Sequence, residues 1–190
     1  MTNIAIFASG SGTNAQKIID YFEQSTIARV ALIVSNKSDA GVLSIAKKHD
    51  IPTVVINRQS FYEQTALLDI LEKYDIGFLV LAGFLWLVPA YLVQAFPHKI
   101  INIHPALLPK FGGKGMYGHH VHHAVKASGA TESGITIHFV NTQYDEGDII
   151  FQATCAIHPD DSAEEIGRKV LKLEHEYFPK TIEKLLRASE

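Results

Sequence analysis

The chain has 190 residues, 47% of them hydrophobic and 19% charged, and a formal net charge of −3, which predicts one globular domain over residues 1–190. No apolar run reaches the roughly 18 residues of a membrane helix, and without a long Lys/Arg cluster we do not expect nucleic acid as a partner. A single cysteine, Cys155, and no basic stretch ahead of the first apolar segment predict a cytoplasmic protein.

Apolar segments alternate with amphipathic ones through the first half of the chain. Strands are predicted over residues 3–8, 29–35, 53–56, 76–82 and 99–104. Helices are predicted over about 14–23, 40–49 and 60–73, with a short one from Pro89. The strands are continuously apolar, which is typical of a parallel sheet with helices on both faces. The pattern therefore predicts a doubly wound α/β fold.

After Pro105 the pattern changes. A glycine-rich loop over 112–118 precedes a predicted helix over about 119–128. Two strands, over 134–140 and 148–157, are joined by the turn NTQYDEG and are expected to pair antiparallel. A long helix follows from Ser162, which forms a capping-box pattern with Glu165. We expect this helix to reach about Arg187 and to kink before Pro179.

The stretch FASGSGTN, residues 7–14, turns directly from the first strand into the first helix. Glycines let backbone N–H groups approach an anion, and a helix N-terminus favours negative charge. Ala15 stands where a dinucleotide fingerprint has its third glycine, and the lysine of a P-loop is missing. The stretch predicts either a site for a single phosphate or an ordinary turn in which Thr13 or Asn14 caps the helix.

The strand over 99–104 ends in two polar residues, Asn102 and His104. Residues i and i+2 of a strand share a face, and open α/β sheets bind ligands at the carboxyl ends of their strands. An amide and an imidazole placed there could hold a developing oxyanion. The alternative is a core amide beside a histidine that caps a loop.

Two carboxylates extend this set. Asp145 lies in a turn, where charges are usually solvated, but a turn folded over the sheet edge would bring it to His104. There it would orient the imidazole and raise its pKa, so that the ring is partly or mostly protonated at neutral pH. Glu174 lies in an apolar helical stripe and therefore requires a partner, either a basic core residue or the amine of a ligand.

The segment HHVHH, residues 119–123, raises the question of a metal. His119 and His123 are four residues apart and could share a helix face. A convincing third ligand does not follow in the sequence, and the HExxH pattern is absent. The sequence therefore favours an exposed histidine-rich helix over a zinc site.

Distinctive motifs follow one another through nearly the whole chain: ASGSGTN, VSNK, LAGF, NIHPALLPKF, HFV before YDEGDII, and LEHEYFP. In these motifs the chain resembles the phosphoribosylglycinamide formyltransferase family, within the folate-dependent formyltransferase superfamily. The resemblance implies the formyltransferase fold, with a mostly parallel sheet and an antiparallel strand pair near the C-terminal part. It also implies transfer of a formyl group from 10-formyltetrahydrofolate to the amine of glycinamide ribonucleotide in purine biosynthesis.

The resemblance implies roles for individual residues as well. Asn102, His104 and Asp145 would be catalytic. The substrate would be bound by Gly12, Thr13 and Asn14 at its phosphate and by Glu174 at its glycinamide end. The folate would be bound by Gln64, Leu85, Trp86, Leu87, Val88, Asn102 and Asn141. The partners would be these two small molecules, with no metal and with either a monomer or a homodimer.

Two positions depart from the family pattern. AGFLW stands where many relatives read AGFMR, so Trp86 replaces a basic residue, and Gln64 stands where some carry arginine. Both changes affect the expected contacts with the glutamate tail of the folate. The alternatives are formyl transfer to another amine, on a sugar nucleotide or a tRNA, and a non-catalytic nucleotide-binding module.

Overall fold

The computed structural model describes residues 1–63 and 65–188. Its described residues form a sheet of seven strands in the order β3-β2-β1-β4-β5-β6-β7. The strands are β1 (Thr2–Phe7), β2 (Ala28–Ser35), β3 (Thr53–Val55), β4 (Ile76–Leu81), β5 (Ile100–His104), β6 (Glu132–Phe139) and β7 (Ile149–Ala156). Pairs among β1 to β5 are parallel, while β6 is antiparallel to both of its neighbours. The predicted mostly parallel sheet with an antiparallel pair is confirmed.

Helices connect the strands. They are α1 (Thr13–Phe22), α2 (Gly41–Lys48), α3 (Arg58–Tyr62), α4 (Ala66–Lys73), α5 (Ala90–Ala95), α6 (His119–Ala127) and α7 (Ala163–Ala188). The single helix predicted over 60–73 is wrong, because this stretch holds α3 and α4. Asn57 and Ser60 form a capping box that starts α3 early, so a separate helix follows from Ala66.

Both faces of the sheet are buried. On β1, Ile4 and Ile6 pack into a core formed with α1, α2, α6 and α7. Ala5 and Phe7 point the other way, into a core with α3, α4 and α5. Both sets are fully buried, which explains why the strand reads as continuously apolar rather than alternating.

The last helix carries the predicted capping box. The amide of Ser162 donates to Glu165 Oε2 at 2.7 Å, and the amide of Glu165 donates to Ser162 Oγ at 3.2 Å. The helix continues past Pro179, which lies within it. Among the helices of the described residues, none combines the length and the apolarity that crossing a membrane requires.

The order in which the chain adds strands to the sheet reverses between β1 and β4. β2 and β3 lie on one side of β1, whereas β4 and β5 lie on the other. The carboxyl ends of β1 and β4 are therefore adjacent, and ligands of open α/β sheets bind at such a crevice. Ser9 ties the two ends together, because its amide donates to the carbonyl of Gly83 and its hydroxyl accepts from the amide of Leu85.

Candidate active site

A cavity of about 770 Å³ opens at this edge of the sheet. Its walls come from the loops that follow β4, β5 and β6, from α6 and α7, and from Asn14 at the start of α1. Asn102, His104 and Asp145 all line it, and so does Glu174. The fold thus brings together four side chains that the sequence analysis singled out from separate segments.

Asp145 lies at the centre of this cluster. The turn after β6 folds over the sheet edge, as hypothesised, and brings Oδ2 of Asp145 to 3.5 Å from Nδ1 of His104. Oδ1 is 3.6 Å from His138 Nε2 and accepts a hydrogen bond from Asn102 Nδ2 at 3.5 Å. The amide of Gly113 donates to Oδ2 at 2.9 Å. The carboxylate therefore accepts from a side-chain amide and a backbone N–H and faces one nitrogen of each imidazole.

These surroundings set the ionisation of the pair. Burial alone would raise the pKa of Asp145, but the neighbouring imidazoles of His138 and His104 and the Gly113 amide together lower it. For His104, burial lowers the pKa, and this outweighs the raising effect of Asp145 and of the Phe111 carbonyl. This direction runs against the expected protonated state of His104: the residue is only 3% exposed, and desolvation favours the neutral form of its ring.

Backbone carbonyls fix the tautomers of both rings. His104 Nε2 lies 2.8 Å from the carbonyl oxygen of Phe111, which can only accept, so Nε2 carries a hydrogen. In the neutral ring Nδ1 is then unprotonated, and this nitrogen faces Asp145. His138 Nδ1 donates in the same way to the carbonyl of Phe139 at 2.8 Å. Its Nε2 accepts from Asn102 Nδ2 at 3.1 Å.

His138 is the residue of this cluster that sequence reasoning missed. It lies directly opposite Asn102 across the β5–β6 pair, and it is 2% exposed. A signal was available, because a histidine inside the otherwise apolar segment GITIHFV must have a polar partner. The strand register brings Asn102 opposite His138, and the fold of the turn after β6 brings Asp145 to it.

Glu174 has a partner of a kind that was not expected. Its carboxylate is buried on α7 and accepts a hydrogen bond of 2.6 Å from Asn14 Nδ2. A basic residue does not reach it within the described part of the chain. Burial raises the pKa of Glu174, and the Asn14 bond offsets this only in part. The side-chain amide of Asn14 is thus directed at Glu174 through one of its two hydrogens.

The glycine loop has a tight geometry at Gly12. This residue has φ +81 and precedes α1 without a side-chain cap, and a Cβ added there would lie 2.8 Å from the Val42 Cα. Thr13 is exposed, and its N–H and that of Asn14 have no recorded acceptor among residues 1–63 and 65–188. Gly10 differs, because a Cβ there would meet nothing within 4 Å.

The predicted folate residues divide into three groups. Five of them line the cavity: Leu85, Trp86, Leu87, Val88 and Asn102. Asn141 lies in the turn beyond β6, where its side chain accepts a hydrogen bond from the Gln143 amide at 2.9 Å. Gln64 lies outside the described residues.

A positive charge stands beside Trp86. The ring packs against Phe61 and Tyr62, with centroids 5.7 and 6.1 Å away, and the guanidinium of Arg58 lies 5.2 Å over its face. Sequence reasoning did not find Arg58, because only the folded chain brings α3 to the loop after β4.

The histidine-rich segment forms the start of α6. The rings of His119 and His123 are 6.0 Å apart and perpendicular, and His119 and His122 line the cavity. The described residues contain no group of three or more His, Cys, Asp or Glu side chains placed to hold a metal ion.

Residues 2–182 match the family described as formyl transferase. The chain belongs to this family, as the resemblance predicts. Within it, the chain is 39% identical to phosphoribosylglycinamide formyltransferase of Haemophilus influenzae, covering 96% of this chain and 86% of that protein. It is 43% identical to the chloroplastic phosphoribosylglycinamide formyltransferase of Arabidopsis thaliana, covering 94% of this chain.

The chain spans 63% and 60% of the length of that chloroplastic protein and of its Vigna unguiculata counterpart.

Solved structures of similar proteins have the same fold as this chain. Phosphoribosylglycinamide formyltransferase of Bacillus halodurans superimposes with a TM-score of 0.88 at 35% identity, covering 100% of this chain and 97% of that one. Glycinamide ribonucleotide transformylase 1 of Symbiobacterium toebii gives 0.89 at 33% identity, covering 99% and 89%.

Proposed function

We propose that the chain transfers the formyl group of 10-formyltetrahydrofolate to the primary amine of glycinamide ribonucleotide, as a step of purine biosynthesis. The observation that carries the proposal is the convergence of Asn102, His104 and Asp145 on one wall of the cavity. The names of the similar relatives support the choice of substrates. Residues 1–190 would act as one domain, in the cytoplasm, as a monomer or homodimer.

The shape of the site suggests where each reactant lies. The folate would pack on Leu85–Val88, with Arg58 near its anionic tail. The ribonucleotide phosphate would accept from the free amides at Gly12–Asn14. Glu174 would receive the glycinamide end, where a buried carboxylate with one hydrogen bond can take another donor. Both reactants would then meet at Asn102.

The reaction follows from the ionisation of the cluster. The amine lone pair attacks the formyl carbon, and the carbonyl π electrons move to oxygen. Asn102 Nδ2 donates to this oxyanion with the hydrogen that it releases from its long bond to Asp145 Oδ1. Neutral His104 accepts the amine proton at Nδ1, beside the ionised Asp145, which stabilises the imidazolium. The oxyanion then re-forms C=O, the bond to N10 of the folate breaks, and His104 returns the proton to N10. These steps require no metal and no covalent enzyme intermediate.

The proposal is tested by the ultraviolet signal of tetrahydrofolate formation. Purified protein is mixed with 10-formyltetrahydrofolate, with and without glycinamide ribonucleotide. Release that depends on the ribonucleotide supports the proposal. Release with water alone would indicate a hydrolase, release only with an amino-sugar nucleotide would indicate another transferase, and no release with any acceptor would indicate a non-catalytic module.

We expect Glu174→Gln to stabilise the unliganded protein above neutral pH. A carboxyl group whose folded pKa is raised loses stability as pH rises from its unfolded value, near 4.5, through the folded pKa. Glutamine accepts the Asn14 bond without this cost, so Tm should rise at pH 7.5, by about 2–4 °C for each kcal/mol. At pH 4 the two proteins should melt alike.

The matched control for this variant is Glu176→Gln, at an exposed position of the same helix. The difference in Tm between this control and wild type should be the same at pH 7.5 and at pH 4. A Glu174→Gln protein that is less stable than wild type at pH 7.5 would mean that the carboxylate has a charged partner in the folded state.

The glycine loop gives a second test. Gly10→Val places its Cβ where no other atom lies within 4 Å, so Tm should change little. The side chain should obstruct the loop, and KM for glycinamide ribonucleotide should rise about tenfold, or ~1.4 kcal/mol. Gly12→Val is the poorer probe, because its side chain would clash with Val42 and strain the φ +81 backbone. An unchanged KM in Gly10→Val would remove this loop from the phosphate site.

A further inference from the structure

We propose that the Thr136 hydroxyl, with the Gln152 amide, is a positioning group for the reaction, because it holds the segment after β5 so that its backbone orients His104 and Asp145. This inference rests on the proposed function. Neither residue lines the cavity, so neither is expected to touch substrate. The two act through the backbone between Ala106 and Gly113.

The hydroxyl of Thr136 uses its full hydrogen-bonding capacity. It accepts from the amide of Leu108 at 2.9 Å and from Gln152 Nε2 at 2.8 Å, and it donates to the carbonyl of Ala106 at 2.7 Å. A hydroxyl has one donor and two acceptor positions, so its orientation is determined. Gln152 Nε2 also donates to the carbonyl of Leu108 at 3.1 Å. Thr136 is fully buried.

The strand register places the Thr136–Gln152 pair, which we call the clamp, beside the ring of His104. Thr136 lies opposite His104 on β5 and opposite Gln152 on β7. The clamp therefore bonds to the backbone that follows His104 while it is anchored on the next two strands. The clamp hydrogen-bonds to both the N–H and the C=O of Leu108. The Leu108 side chain packs against Gly112, where an added Cβ would clash with it.

The segment held by the clamp, from Ala106 to Gly113, places one backbone group against His104 and one against Asp145. The Phe111 carbonyl accepts from His104 Nε2 at 2.8 Å, and the Gly113 amide donates to Asp145 Oδ2 at 2.9 Å. Phe111 has φ +57, a left-handed conformation that a bulky residue keeps only when its surroundings enforce it. By fixing the hydrogen on Nε2, this carbonyl leaves Nδ1 of His104 as the nitrogen that exchanges protons next to Asp145.

The test compares Thr136→Val, which keeps the shape but removes the hydroxyl, with Thr136→Ser, which keeps the hydroxyl. We expect Thr136→Val to lower kcat about 10- to 100-fold, because small displacements of catalytic groups are costly, with KM for glycinamide ribonucleotide within about twofold. Thr136→Ser should recover most of the rate. Ser133→Ala removes another buried hydroxyl of β6, which has no hydrogen-bond partner in residues 1–63 and 65–188, and should match wild type.

A readout without substrate separates this inference from the proposed function. In ¹⁵N-histidine NMR spectra, with His104 assigned from the missing signals of His104→Ala, wild type should show the Nε2–H tautomer. Thr136→Val should show a mixture or the other tautomer. Gln152→Leu, at a less buried position, should shift both readouts in the same direction by less, and it carries the test if Thr136→Val does not fold. Unaltered tautomer signals in the folded variants would overturn the proposal, whether or not the rate falls.

Discussion

Asp145→Asn is expected to lower the single-turnover rate of formyl transfer by about 10²–10⁴-fold, the range for loss of acid–base catalysis. The substitution keeps the shape of the side chain but removes the charge that stabilises protonated His104 in the reaction. Binding of glycinamide ribonucleotide should change little, since its phosphate is assigned to another loop. Asp148→Asn, at an exposed position directly before β7, is the matched control.

The pH dependence of this variant has a defined sign. Asp145 raises the pKa of His104 against the lowering effect of burial, so removing the charge should lower that pKa further. The proposed mechanism starts from neutral His104, and kcat should therefore fall as pH drops through this pKa. In Asp145→Asn the acidic limb should move to lower pH. A limb that moves to higher pH would contradict the pairing.

The double variant tests whether the two residues act as a unit. His104→Ala should lose at least as much rate as Asp145→Asn, and the combined variant should lose much less than the product of the two. Single-turnover rates of all four proteins across a pH series measure this. Multiplicative losses would mean that Asp145 does not act through His104.

Asn102→Leu should lower kcat about 10²–10³-fold, as expected for loss of one donor to an oxyanion. Leucine has a similar shape but cannot donate, and it also removes the hydrogen bond to His138. Dissociation constants of both reactants, measured by calorimetry, should remain within a few fold. A kcat loss below fivefold would assign the oxyanion to another donor.

The local sequence predicts much of the fold and part of the candidate site. Ile4 to Phe7 are all apolar because both faces of β1 are covered, and the same logic located β2, β4 and β5. Asn102 and His104 were identified because they interrupt such a run at its carboxyl end, where open sheets bind ligands. The split of the predicted 60–73 helix was missed because the Asn57–Ser60 capping box competes locally with the longer helical pattern.

The remaining features depend on distances between segments that the sequence does not encode locally. His138 joins the cluster through the β5–β6 register, and Arg58 reaches Trp86 through the packing of α3. The ionisation of His104 could not be predicted, because the depth of burial and the charge of Asp145 oppose each other and their balance depends on the packed structure.

The Asn14–Glu174 hydrogen bond joins residues 160 positions apart in the sequence. Its formation closes a loop containing most of the chain, and loop closure carries an entropy cost that must be met before such contacts contribute. During folding, therefore, the end of the cavity lined by Asn14 and Glu174 does not exist until α7 docks on α1. A ligand that binds at Glu174 would therefore bind only the native state. A folding intermediate with a formed sheet but an undocked α7 has Asn14 in place and lacks Glu174 beside it.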